Sequence, residues 1–165
     1  MTAKEYNDCT RLWADDAMRF AVRLCTDRAE CEDAVQEALA AMWECRDKVA
    51  KEKGKSYLLS VTYRQLMSNF RRHSAEARYL KNAQTPQQEP DTAFDIKEDI
   101  ERALQTLPEL QRAILQLRDV EGYSYREIGE TLEVSEDKVQ VYLFRARVAM
   151  RRQMITMGYD EYKQR

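Results

Sequence analysis

The side chains best placed for chemistry in this 165-residue sequence are cations and hydrogen-bonding groups at helical spacing near its C-terminal end. From Lys138 through Arg152 there are five basic residues and no acidic one. The apolar stripe Val139, Leu143, Ala146 and Met150 runs along one face of that stretch, leaving Lys138, Gln140, Val141, Tyr142, Phe144 and Arg145 on the other. Such a face suits the major groove. An amide presents a donor beside an acceptor to a base edge, and a guanidinium presents a fork of donors to a phosphate or a guanine. A second basic block spans residues 48–82, with nine basic and two acidic side chains. Here Tyr57 and Tyr63 alternate with Arg64, Arg71 and Arg72, a mixture that suits single strands, because flat rings stack on unpaired bases while arginines meet phosphates.

The formal net charge of −2 conceals this arrangement. Residues 1–47 carry 6 basic and 11 acidic side chains, and residues 83–137 carry 5 and 14. Phosphate binding follows local potential, since screening at physiological salt limits its reach to about 8 Å. Two cationic blocks between acidic ones are therefore compatible with nucleic acid.

Other chemistries find little to work with. A single histidine, His73, no glycine-rich phosphate loop and no nucleophile elbow argue against an enzyme. Cys9, Cys25, Cys31 and Cys45 contain no CxxC pair, so they read as small apolar core side chains rather than a redox or metal set. Neither a metal nor a cofactor is expected. No apolar run approaches the ~20 residues of a membrane span, and the first helical pattern is charged throughout, so neither signal peptide nor membrane insertion is expected and the location is cytoplasmic.

The elements that must position these residues are all helical. Glycine and proline number four and three, and no stretch alternates like a strand. Leu12, Trp13, Met18, Phe20, Ala21 and Leu24 predict a first amphipathic helix. Asp27 and Glu30 have capping-box spacing ahead of a second, with Ala34, Val35, Ala38, Leu39 and Met42 as its buried stripe. Gly54 breaks the chain before a third helix through Phe70. Residues 83–94, polar and holding Pro86 and Pro90, read as a flexible linker that could reach about 40 Å when stretched. The expected organisation is thus all-α: an N-terminal helical domain over 1–82, the linker 83–94, and a C-terminal domain over 95–165. In the last, Pro108 suits a first helical position, Gly122 closes that helix, and Ser124 with Glu127 forms a capping box.

A short helix from Ser124 to Leu132, a turn at Glu133 and Val134, and a long helix capped by Ser135 have helix-turn-helix spacing. The two helices must cross closely, which Gly129 permits, and Ile128, Leu132, Val134 and Val139 are the apolar pins of the crossing. The second helix then enters the major groove while arginines hold phosphates.

With these residues in view, the chain resembles the extracytoplasmic-function sigma factors of bacterial RNA polymerase. The segments 103–112, 117–128 and Phe144-Arg-Ala-Arg147 are similar to that family's promoter-reading C-terminal domain. The segment 29–37, followed by Trp43, resembles its polymerase-binding helix, and 56–64 through Arg72 its −10 helix. The resemblance implies RNA polymerase core enzyme, promoter DNA and an anti-sigma factor as partners. It assigns core binding to Asp33, Gln36 and Glu37. The −10 element falls to Tyr57, Tyr63, Arg64, Ser68, Asn69, Arg71 and Arg72, and the −35 element to Arg126, Ser135, Lys138, Gln140, Val141, Tyr142, Phe144 and Arg145. Departures from the family are Arg64 and Ser68 in place of asparagine and aspartate, Tyr57 in place of tryptophan, and Glu133 in place of the turn glycine. The rival reading is a stand-alone helix-turn-helix repressor or activator, which would protect a palindromic operator without polymerase.

Overall fold

The computed structural model describes residues 1–79 and 95–159, and among them every regular element is helical. The N-terminal part holds α1 (Ala3–Leu24), α2 (Arg28–Glu44) and α3 (Gly54–Tyr79), with one 3₁₀ turn at Lys51–Lys53. The C-terminal part holds α4 (Ile96–Gln105), α5 (Glu109–Leu115), α6 (Tyr125–Leu132) and α7 (Glu136–Thr156). The expected linker 83–94 lies outside the described residues, as does the domain boundary at 82.

Local chemistry sets the helix ends. Thr2 and Glu5 close a reciprocal capping box at the start of α1, with the Glu5 carboxylate accepting from the Thr2 amide at 2.8 Å. The helix therefore begins well before Leu12, and Leu12 itself is 65% exposed rather than part of the buried stripe. Asp27 caps α2 by accepting from the Ala29 and Glu30 amides, but the expected box is only half formed. The Glu30 carboxylate turns away to His73 Nε2 at 3.0 Å and to the Cys25 thiol at 3.6 Å. Gly54, expected to break the chain, instead opens α3 in right-handed helical geometry. What requires glycine there is packing: a Cβ would lie 2.6 Å from the Trp13 ring. Pro108 sits one position earlier than expected, as the N-cap of α5.

The α5 helix passes into a π-type turn at Gln116–Val120, which ends at Gly122 with φ +73°. Sequence periodicity gave no sign of this turn. Its consequence is that Asp119 and Val120 face solvent while Gln116 and Leu117 stay buried. Asp119 then pairs with Arg147 of α7 at 2.6 Å and ties the turn to the long helix.

The core of the N-terminal part is built by Phe20 and Leu24 of α1, Met42 of α2 and Leu58, Leu59 and Leu66 of α3. Cys9, Cys25 and Cys31 are buried among these side chains as the sequence suggests. Burial pushes the Cys31 thiol up to about 12, so it packs as a neutral apolar group. The C-terminal core gathers Ile114, Leu117, Ile128, Val139 and Leu143. The two parts do not stand apart as tethered bodies. Their cores form one continuous apolar cluster, with α1 against α4 and α5 and α3 against α6.

Candidate nucleic-acid interface

The helix-turn-helix expected from spacing is present in α6 and α7. Ser124 accepts from the Glu127 amide at 3.2 Å, and Glu127 accepts from the Ser124 amide at 2.8 Å. Those bonds hold the Glu127 carboxyl below its ordinary range, the backbone amide of Ser124 contributing most. Gly129 lies where the helices meet: a Cβ there would come 2.7 Å from the Val134 carbonyl oxygen, which is backbone and cannot step aside. The turn passes through Glu133 in the left-handed conformation, φ 58° and ψ 44°. This is where the family's glycine stands, and glutamate occupies it at a modest steric cost.

On α7 the buried stripe is Val139, Leu143 and Ala146, with Met150 half-buried behind it. The opposite face is open, with Lys138, Gln140, Val141, Phe144 and Arg145 all exposed. Phe144 is 71% and Val141 47% exposed, so both hold apolar surface to water. Tyr142 is half-buried, and the Arg145 guanidinium lies 5.8 Å from its ring centre, which orients the arginine along the face. The Ser135 hydroxyl is engaged in capping, accepting from the Lys138 amide at 3.4 Å. Arg126 projects from α6 and pairs with Glu130 at 3.1 Å, one turn along.

The residues picked out on α3 divide into two sets. Arg64, Ser68, Arg71 and Arg72 are exposed, and Asn69 accepts from Arg72 at 3.0 Å. Tyr63, Met67, Phe70 and Arg71 line a groove of about 500 Å³ whose far wall includes Glu109 of α5. Burial raises the Tyr63 hydroxyl above its usual pKa, and Glu109 adds to that effect. Tyr57 is not part of this groove. It sits half-buried beside Cys45, its pKa also raised by burial and then by the bond to that thiol.

Asp33, Gln36 and Glu37 are all exposed on one side of α2, opposite the buried Cys31, Ala34, Val35 and Ala38. At the end of the same helix Trp43 is 40% exposed, with Tyr6 edge-on at 5.0 Å and the Arg46 guanidinium 4.2 Å over its ring. Sequence reading noted Trp43 only as a mark of resemblance. A tryptophan at the C-terminal end of an acidic helix, three residues before an arginine, was the available signal. Lys53 and Lys55 were also passed over within the second basic block. Their partners, Glu130 at 3.2 Å and Glu121 at 2.7 Å, are distant in sequence and could not be seen there.

Comparison with known proteins agrees with this geometry. Residues 11–76 match Sigma-70 region 2, and residues 97–150 match Sigma-70, region 4. The chain is 29% identical over 163 residues to the RNA polymerase sigma-E factor of Streptomyces coelicolor, covering 94% of this chain and 89% of that one. It is 27% identical over 154 residues to the ECF RNA polymerase sigma factor SigE of Mycolicibacterium smegmatis, covering 88% of this chain and 60% of the relative's length. The sigma factor RpoE of Bartonella quintana, solved with the anti-sigma factor NepR, superposes with a TM-score of 0.77 at 20% identity, covering 92% of this chain and 98% of that one. The chain belongs to the sigma-70 family, in its extracytoplasmic-function group. Region 2 joined to region 4 sets aside the stand-alone repressor or activator.

Proposed function

We propose that this chain carries RNA polymerase core enzyme to promoters, with no catalysis of its own and with its contacts divided among three helices. Asp33, Gln36 and Glu37 on α2 bind a basic surface of the core enzyme. Arg64, Ser68, Asn69, Arg71 and Arg72 on α3, with Tyr63 at the groove and Tyr57 nearer the start of the helix, engage the melted −10 strand. Lys138, Gln140, Val141, Tyr142, Phe144 and Arg145 on α7 read the −35 element in the major groove. Ser135 sets the start of that helix, and Arg126 approaches the flanking backbone. The domain limits follow the same division: 1–82 for core and −10 contacts, 95–165 for −35 contacts, and 83–94 between them.

The observation that carries this reading is the α7 face, acid-free from Lys138 onward and open to solvent on the side away from its buried stripe. The Bartonella quintana protein was solved bound to an anti-sigma factor, and a protein of that class is the expected inhibitor here as well. Among the described residues no helix is long and apolar enough to cross a membrane, in keeping with action beside the polymerase in the cytoplasm.

Holoenzyme assembly tests the first contact. Replacing Gln36 and Glu37 together by alanine should weaken co-purification with core enzyme while leaving the helical circular dichroism and melting temperature unchanged, since both side chains are exposed. Undiminished co-purification would remove α2 from the core interface.

A further inference from the structure

On α7 the residues that face away from the buried stripe divide into two lines. Asp137, Gln140, Val141 and Phe144 follow the i, i+3, i+4, i+7 pattern that sets side chains on one face of a helix. Lys138, Arg145 and Arg152 recur every seven residues along the edge of that face, where two helical turns return almost to the same direction. All of these side chains are exposed. The first line holds a carboxylate, an amide and two apolar groups, and no cation. The second holds only cations, with the Arg145 guanidinium 5.8 Å from the centre of the Tyr142 ring.

We propose that the first line is the base-reading strip for the −35 element and that it reads thymine methyls, with an adenine beside them and a cytosine at the Asp137 end, while the cationic edge holds phosphates. The inference rests on the assignment of α7 to the −35 element and names the sequence class that such a helix selects. In the major groove guanine offers two acceptors, which an arginine or lysine meets. Cytosine offers an amino donor, adenine a donor beside an acceptor, and thymine a methyl group. The strip holds no cation for guanine. Its Gln140 amide fits adenine. Its Asp137 carboxylate only accepts, makes no ion pair among the described residues, and fits the cytosine amino group. Val141 and Phe144, 47% and 71% exposed, leave apolar surface in water that thymine methyls would cover. From Asp137 to Phe144 is about 10 Å along the helix axis, the length of about three base steps. Asp137 lies in the first turn after the Ser135 cap, and the N-terminal residues of a recognition helix are the ones that meet base edges. Its neighbour Glu136 is turned about 100° out of the strip.

Holoenzyme assembled from the full chain and core enzyme first selects from a promoter library randomised over the −35 element. Synthetic templates then replace each thymine of the selected element by uracil, which removes the methyl group and nothing else. Each contacted thymine should account for about fourfold in open-complex formation. Phe144→Ser and Val141→Ser should each make uracil and thymine equivalent at the position contacted; both side chains are exposed, so the fold is retained. Asp137→Asn supplies an amide, which pairs with adenine, so the preferred base at one end should move from cytosine to adenine. Glu136→Gln makes the same charge change off the strip and should leave that preference as it was. A guanine-rich element indifferent to uracil, uracil sensitivity that survives both serine variants, or the same base shift from both carboxylate variants would overturn the methyl reading. The assignment of α7 fails separately: Gln140→Ala, Phe144→Ser and Asp137→Asn would then all select the parent's −35 bases, and the proposal would fall with it.

Discussion

The guanidinium of Arg112 lies 2.7 Å from the main-chain carbonyl of Leu24, across 88 positions of sequence, and this contact stitches the last turn of α1 to α5. The arginine is 5% exposed and has no carboxylate bonded to it among the described residues. It donates to the Gln105 and Leu107 carbonyls and to the Gln105 side chain, while its Nε finds no partner among the described residues. Burial accordingly lowers its pKa from the usual guanidinium value, with Glu109 acting in the opposite direction. A buried cation solvated by carbonyls keeps those carbonyls from being orphaned where α1 and α4 end.

Arg112→Leu should therefore cost about 3 kcal/mol, because it strands several buried acceptors at once. Urea denaturation should show the loss. A melt within a few tenths of a kcal/mol of the parent would mean that water or a shifted side chain replaces the guanidinium.

The crossing of α6 and α7 gives a pair of opposed expectations. Gly129→Ala drives a Cβ to 2.7 Å from the Val134 carbonyl oxygen and should destabilise the C-terminal part by about 1–3 kcal/mol. Glu133→Gly relieves the left-handed conformation four residues later and should be neutral or stabilising by up to about 1 kcal/mol. Thermal melts of the two variants should shift in opposite directions or leave the second unmoved. A stable Gly129→Ala protein would show that the crossing is looser than the structure draws it.

Stability should also fall in acid in a way that traces to Glu127. Its carboxyl is held below the ordinary value of 4.5 by the Ser124 amide and hydroxyl. A carboxylate with a depressed folded-state pKa adds stability above its unfolded pKa, and the addition is lost as pH falls through the folded value. The advantage of the parent over Glu127→Gln should thus be present at neutral pH and fade below about pH 4.5. Denaturation curves of both proteins across that range check it. A difference independent of pH would assign the effect to shape rather than charge.

How much of this was legible beforehand depends on sequence separation. The capping boxes, the α7 stripe and the close crossing at Gly129 all arise within a few residues, so spacing exposed them. The Leu12 error has the same root, since a helical pattern says which residues share a face but not which face is covered. Beyond reach were the π-type turn at Gln116–Val120 and every bond across the two parts. The Lys53–Glu130 and Arg112–Leu24 contacts depend on tertiary placement that no local pattern encodes. The candidate −35 face was readable because it lies on one helix, whereas ion pairs such as Arg64–Glu133 join elements far apart in sequence.

Promoter-library transcription with purified core enzyme tests the central claim most directly, comparing the parent chain with Gln140→Ala and with Arg71→Ala/Arg72→Ala at two salt concentrations. The parent should select promoters that share two separated elements, and only when core enzyme is present. Gln140→Ala should change which −35 sequences are used, at a cost of about 1–3 kcal/mol on the preferred base if its contact is bidentate. The arginine pair should weaken all promoters alike and flatten the salt dependence, as expected for phosphate contacts. Selection of a single palindromic site without core enzyme would contradict the account. So would a uniform loss from Gln140→Ala, or a −35 preference shifted by the arginine pair.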